Sequence, residues 1–140
     1  MINAIVKKQY SLRNQPFYKL LGLSVGLVDS DAQNRSFYSQ KLEQANLLVQ
    51  TFPDLIKLQS SLAENPVHVI IFSPSPEKIK KDIDSLARFI SLFPELPVIT
   101  MAKTMQELQL DAIMRVGTRL HINRDMSHPR DLLIALEQVI

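Results

Sequence analysis

From Leu23 to the end of the chain, short apolar runs alternate with segments whose apolar residues recur at helical spacing. That alternation narrows the fold more than any other feature, because repeated strand–helix units build a parallel sheet flanked by helices. Candidate strands are 23–28, 47–51, 67–72, 98–101 and 119–122. Two of them, VHVIIF and PVITM, are almost unbroken in apolar residues, as strands covered on both faces must be. Between the strands, helical stripes run through Tyr38, Leu42 and Ala45, through Leu55, Leu58 and Leu62, and through Ile79, Ile83, Leu86 and Ile90. Met105, Leu108 and Ala112 continue the series, and Leu132, Leu136 and Val139 close it. The pattern predicts an α/β fold: a three-layer αβα sandwich on a five-stranded parallel sheet.

Cap signals agree with these boundaries. Asp31 and Asp54 precede the first two helical stripes, Thr104 and Glu107 have the spacing of a capping box, and Ser127 stands before Pro129 at the start of the last helix. Gly117 and the Pro94/Pro97 pair supply stops.

Length and composition bound the rest. At 140 residues the chain has room for one domain. It has no Cys, which removes disulfides, thiolate metal sites and cysteine nucleophiles. Its longest apolar run, residues 67–72, is far too short to cross a bilayer, so a cytoplasmic chain without membrane contact is expected.

The net charge of +2 is unevenly placed. Lys7, Lys8, Arg13 and Lys19 precede the first acidic residue, Asp29, leaving twelve basic against fourteen acidic residues beyond. Residues 1–22 therefore read as a basic N-terminal extension, mobile in its first part, and 23–140 as the folded domain. Pro16 interrupts the extension and argues against a membrane-lying amphipathic helix. Lys78, Lys80 and Lys81 are followed by Asp82 and Asp84, the mark of a mixed solvated face, so no direct nucleic-acid contact through the domain is expected.

The motifs SVGLVDSD, HVIIFSPSP, LPVITMAKT and GTRLHINRD, in this order and spacing, resemble the receiver domains of bacterial two-component response regulators. The resemblance covers 23–140 and implies the strand order 2-1-3-4-5, with a site where the carboxyl ends of strands one and three meet. It implies an acidic pair at Asp29 and Ser30, with Asp31 one residue late. It places the phosphoacceptor at Ser73, the hydroxyl switch at Ala102, the aromatic switch at His121 and the invariant lysine at Arg124, followed by Asp125 instead of proline.

Phosphorylation of an aspartate needs a carboxylate nucleophile and an Mg²⁺ ion on hard oxygen ligands. Two of the three oxygen donors the resemblance implies are neutral serines, and an unactivated hydroxyl is a weak nucleophile. The expectation is a degenerate, or pseudo-receiver, domain that is not an enzyme and takes no cofactor. Weak Mg²⁺ binding by Asp29 and Asp31 is the lesser alternative to Asp31 simply capping a helix. Arg124 either pairs with Asp29 or holds an anion, and the bidentate fit of guanidinium to carboxylate favours the pair. A hydrolase triad of Ser73, His121 and Asp29 is disfavoured, since no G-x-S-x-G elbow surrounds Ser73. His68, His121 and His128 lack zinc spacing.

The resemblance also implies a partner surface for a homodimer or another protein, made by the fourth helix, fifth strand and fifth helix. Its candidate residues are Gln106, Gln109, Arg115, Arg119, Arg130 and Gln138. An output domain in cis is expected, the chain being read as the N-terminal part of a bacterial transcription regulator. The alternative parent is a pilus-assembly localisation ATPase with an atypical N-terminal receiver. A phosphorylatable receiver with a shifted site is the third reading.

Overall fold

A computed structural model describes residues 17–140. Five strands, β1 (Ser24–Asp29), β2 (Leu48–Phe52), β3 (Val69–Ser73), β4 (Val98–Ala102) and β5 (Leu120–Asn123), form one parallel sheet in the order β2-β1-β3-β4-β5. Five helices follow them in turn: α1 (Ala32–Gln44), α2 (Leu55–Leu62), α3 (Ile79–Leu92), α4 (Glu107–Arg115) and α5 (Pro129–Val139).

The continuous apolar strands are explained by the two cores they serve. Because side chains alternate across a strand, Val25, Leu27, Val69, Ile71, Ile99 and Met101 enter one core with Leu42 of α1 and Leu132 and Leu136 of α5. Val28, Ile70, Phe72 and Val98 enter the other with Leu58 of α2 and Leu86 and Phe89 of α3. Gly26 lets α2 come close, since a Cβ there would lie 3.0 Å from Leu58 Cδ1. Among the described residues, no helix is long and apolar enough to cross a membrane.

Two caps stand where expected. Asp31 Oδ1 accepts from the Gln33 and Asn34 amides at 2.9 and 3.1 Å, and Asp54 Oδ1 accepts from Lys57 N–H at 2.8 Å. Two others move. Helix α4 is capped at Gln106, whose N–H donates to Gln109 Oε1 at 3.4 Å, while Thr104 turns away to Asp125. With that shift, Ile113 is the buried residue of α4 and Leu108 of the expected stripe is 80% exposed. Helix α5 is capped by His128 rather than Ser127: its Nδ1 accepts from Arg130 N–H at 3.1 Å, and Asp131 Oδ2 accepts from His128 N–H at 2.8 Å.

Lys7, Lys8, Tyr10, Arg13 and Pro16 of the expected extension lie outside the described residues. Its last part packs on the domain instead of standing apart from it. Tyr18–Leu20 make a 3-10 turn against α5, and Leu20 is fully buried in the α1/α5 core. Gly22, at φ 75°, donates its N–H to Asn46 O at 3.0 Å and leads into β1.

Candidate functional site

The carboxyl ends of β1 and β3 meet at Asp29 and Ser73, which are register partners on adjacent strands. Both are polar residues at the end of apolar runs, and both are buried. Asp29 Oδ1 accepts from Asp31 N–H at 2.9 Å, and Arg35 of α1 donates to the Asp29 carbonyl at 2.6 Å. The Ser73 hydroxyl donates to Met101 O at 2.6 Å and accepts from Arg124 Nη2. It is thus occupied as donor and as acceptor.

Arg124 enters from the turn after β5. Its Nη2 lies 3.6 Å from Asp29 Oδ2 and 3.4 Å from Met101 O, and its Cζ lies 5.7 Å from the centre of the Tyr38 ring on α1. Guanidinium, hydroxyl and carboxylate therefore meet at one sheet edge, lining a cleft of about 430 Å³ that Ser30, Asp31 and Lys103 border, with the Tyr38 ring packed against Arg124 from the core. Burial raises the Asp29 pKa above 3.8, against the Asp31 amide and the Arg124 charge, which lower it. Asp29 Oδ2 has no hydrogen bond of its own among the described residues, so Arg124 is the cation that compensates it.

His121 lies one layer below, paired in register with Thr100; its Nδ1 is 2.8 Å from Thr100 Oγ1. Burial lowers its pKa below 6.5. A depressed folded-state pKa gives stability that is present above 6.5 and lost as pH falls through the folded value. The melting temperature is therefore expected to fall as the pH drops below 6.5, and less steeply in a His121→Gln variant. Calorimetry on both proteins checks this, and parallel profiles would refute it. In the turn after β5, Asp125 Oδ2 accepts from Thr104 N–H at 2.9 Å and from Thr104 Oγ1 at 3.2 Å, and the bond from the Thr104 N–H holds its carboxyl below 3.8.

No family profile and no curated protein matches the chain. Solved structures do. A response regulator from Thermotoga maritima is 14% identical, covers 86% of this chain and 98% of its own, and superposes with a TM-score of 0.74. A CheY-like protein, tadZ, from Pseudomonas aeruginosa is 16% identical over 85% of this chain and all of its own, with a TM-score of 0.72. DrrB, an OmpR/PhoB homologue from Thermotoga maritima, is 18% identical over 84% of this chain and 52% of its own, with a TM-score of 0.68.

The chain has the receiver fold. At these identities the likeness carries the fold and leaves the site to its own chemistry. Asp29, Ser73 and Arg124 are brought together; Ser30 is exposed beside them and Asp31 is committed to the α1 amides. The residues do not fit the Mg²⁺ a receiver would hold. The one buried carboxylate faces a guanidinium, and no group of three potential ligands occurs among the described residues. Ala102 is buried beside Asn123 in the β4–β5 register, and the hydroxyl facing His121 belongs to Thr100. Ser73, His121 and Asp29 do not form a triad, because the partners of Ser73 are Met101 O and Arg124.

Sequence reasoning missed Arg35 and Tyr38. Tyr38 stands on the α1 core stripe, and Arg35 precedes it by three residues on the same side, so their spacing from the Asp31 cap was the available signal. Of the candidate interface residues, Gln106, Arg115, Arg119, Arg130 and Gln138 are exposed, while Gln109 is half-buried in its cap contact. Arg130 lies over the Phe17 ring at 5.3 Å.

Proposed function

We propose that this chain is an atypical receiver-like regulatory domain of a bacterial transcription regulator, acting through dimerisation or protein contacts without phosphorylation. The observation that carries this reading is Arg124 lying against both Ser73 and Asp29. A phosphorylated receiver changes state when negative charge arrives beside a cation; here the cation is already neutralised and the hydroxyl already used. The cleft is thereby held in one state, and what remains for the fold to offer is its surface. Leu108 and Met126, 80% and 83% exposed, give the α4, β5 and α5 side apolar contact area beside Arg115 and Arg119. The DrrB match, which spans about half of that chain, supports an output domain in cis.

A second parent, a pilus-assembly localisation ATPase carrying the same phosphorylation-independent module, is supported by the likeness to a protein from Burkholderia pseudomallei described as pilus assembly-related, 15% identical over 84% of this chain with a TM-score of 0.71. Incubation with acetyl phosphate and Mg²⁺ followed by intact mass measurement is expected to leave the mass unchanged. A phosphate adduct mapped to Ser73 or Asp29 would overturn the reading.

A further inference from the structure

Helices α1 and α5 flank an open groove, of about 380 Å³, that shares no residue with the Asp29 cleft. Its apolar lining includes Leu42 of α1, Leu132 and Leu133 of α5, and Phe17. Phe17 belongs to the segment before β1 and holds a left-handed backbone, φ 64°, unusual for a bulky residue. Its carbonyl accepts from Leu20 N–H at 2.9 Å, so the buried Leu20 anchors the turn that keeps the ring at the groove.

The charges that line the groove are cationic, and the carboxylate of the α5 cap, Asp131, is held by the His128 N–H at 2.8 Å. Lys41 and Arg130 line the groove, together with His128, and no carboxylate does. Among the described residues neither Lys41 nor Arg130 has a carboxylate within 4.0 Å. Residues 1–16 contain no acidic residue, so they offer these cations no partner. Lys41 Nζ stands 5.6 Å from the Phe37 ring centre and Arg130 Cζ 5.3 Å from that of Phe17, contacts that use the aromatic faces and leave the N–H donors free.

The geometry points to this α1/α5 groove as a docking site for a partner protein's short segment in which large apolar side chains are flanked by Asp or Glu. The apolar lining takes the hydrophobic residues, and Lys41 and Arg130 take the carboxylates. Residues 1–16 carry Lys7, Lys8 and Arg13 and no carboxylate, so the acidic half of this recognition falls to a partner. The site stands whether or not Arg124 keeps the Asp29 cleft from phosphorylation.

A library of random peptides displayed on phage, panned against the full chain, tests this. Recovered peptides are expected to combine Leu, Ile or Phe with Asp or Glu. A labelled peptide from that set should lose about tenfold in affinity, by fluorescence anisotropy, against a Lys41→Glu/Arg130→Glu double variant, which alters two exposed side chains and should melt as the parent does. Added salt should weaken binding to the parent, Phe17→Ala should weaken it too, and Lys80→Glu, an exposed charge change on α3, should leave it unchanged. Recovery of only neutral or basic peptides, or an affinity indifferent to the double variant, would overturn the proposal. So would a competing match to residues 1–16, or self-association of the parent that the double variant abolishes, since each assigns the groove to a different occupant.

Discussion

An Arg124→Met substitution is expected to destabilise the fold by about 2–4 kcal/mol near neutral pH, because it leaves a buried carboxylate without its cation. Asp29 Oδ2 has no hydrogen bond among the described residues, and Arg124 Nη2 at 3.6 Å is its compensating charge. Met keeps most of the apolar stem and its packing, so the loss reports the guanidinium. Asp29→Asn alone is expected to cost under about 1 kcal/mol: it retains an oxygen for the Asp31 amide and removes a charge that burial disfavours. The double variant should recover most of the loss, giving a coupling that urea unfolding of the four proteins measures. Losses that simply add would show that Arg124 and Asp29 are neighbours without being partners.

The pH dependence of that series has a defined sign. Because burial raises the folded-state pKa of Asp29 above 3.8, its contribution favours the fold at low pH and is lost as pH rises through the folded value. Removing Arg124 takes away a lowering influence and moves that value further up. The gap between Arg124→Met and the parent should therefore narrow as the solution is acidified from neutrality.

The second large effect lies far from the cleft. Leu20→Ala is expected to cost about 3 kcal/mol, the ordinary result of emptying a fully buried leucine site. Lys19→Ala, one residue away and exposed, should change stability by less than about 0.5 kcal/mol. Equal, small effects at both positions would place the segment before β1 outside the cooperative fold. Removing residues 1–22 to test their charge would take Leu20 with them, so such a truncation measures lost packing before it measures lost cations.

The strands and most helices were legible because their burial is written in periodicity. VHVIIF has apolar residues facing both cores, and Leu132 and Leu136 repeat at one helical turn. What escaped was decided across the chain. Thr104 and Glu107 have capping-box spacing, yet Asp125, brought near only by the β4–β5 pairing, recruits Thr104 and moves the start of α4. Leu20 is one of several scattered apolar residues in a basic segment, and no local pattern marks it as core. At the site, the positions of Asp29, Ser73 and Arg124 were readable from motif order. That Ser73 is closed off by Met101 O, and that Tyr38 lies beneath Arg124, depends on three strands and a helix meeting at one edge.

The docking of Leu20 on α5 joins the beginning of the described fold to its end. During synthesis the 3-10 turn leaves the ribosome before α5 does, and the α5 side of its leucine stays uncovered until that helix has followed. A transient release of α5 would bare Leu20, Phe17 and the α1 surface together. Amide exchange in the turn and in α5 should rise and fall as one unit, marking a seam along which this domain opens before it unfolds.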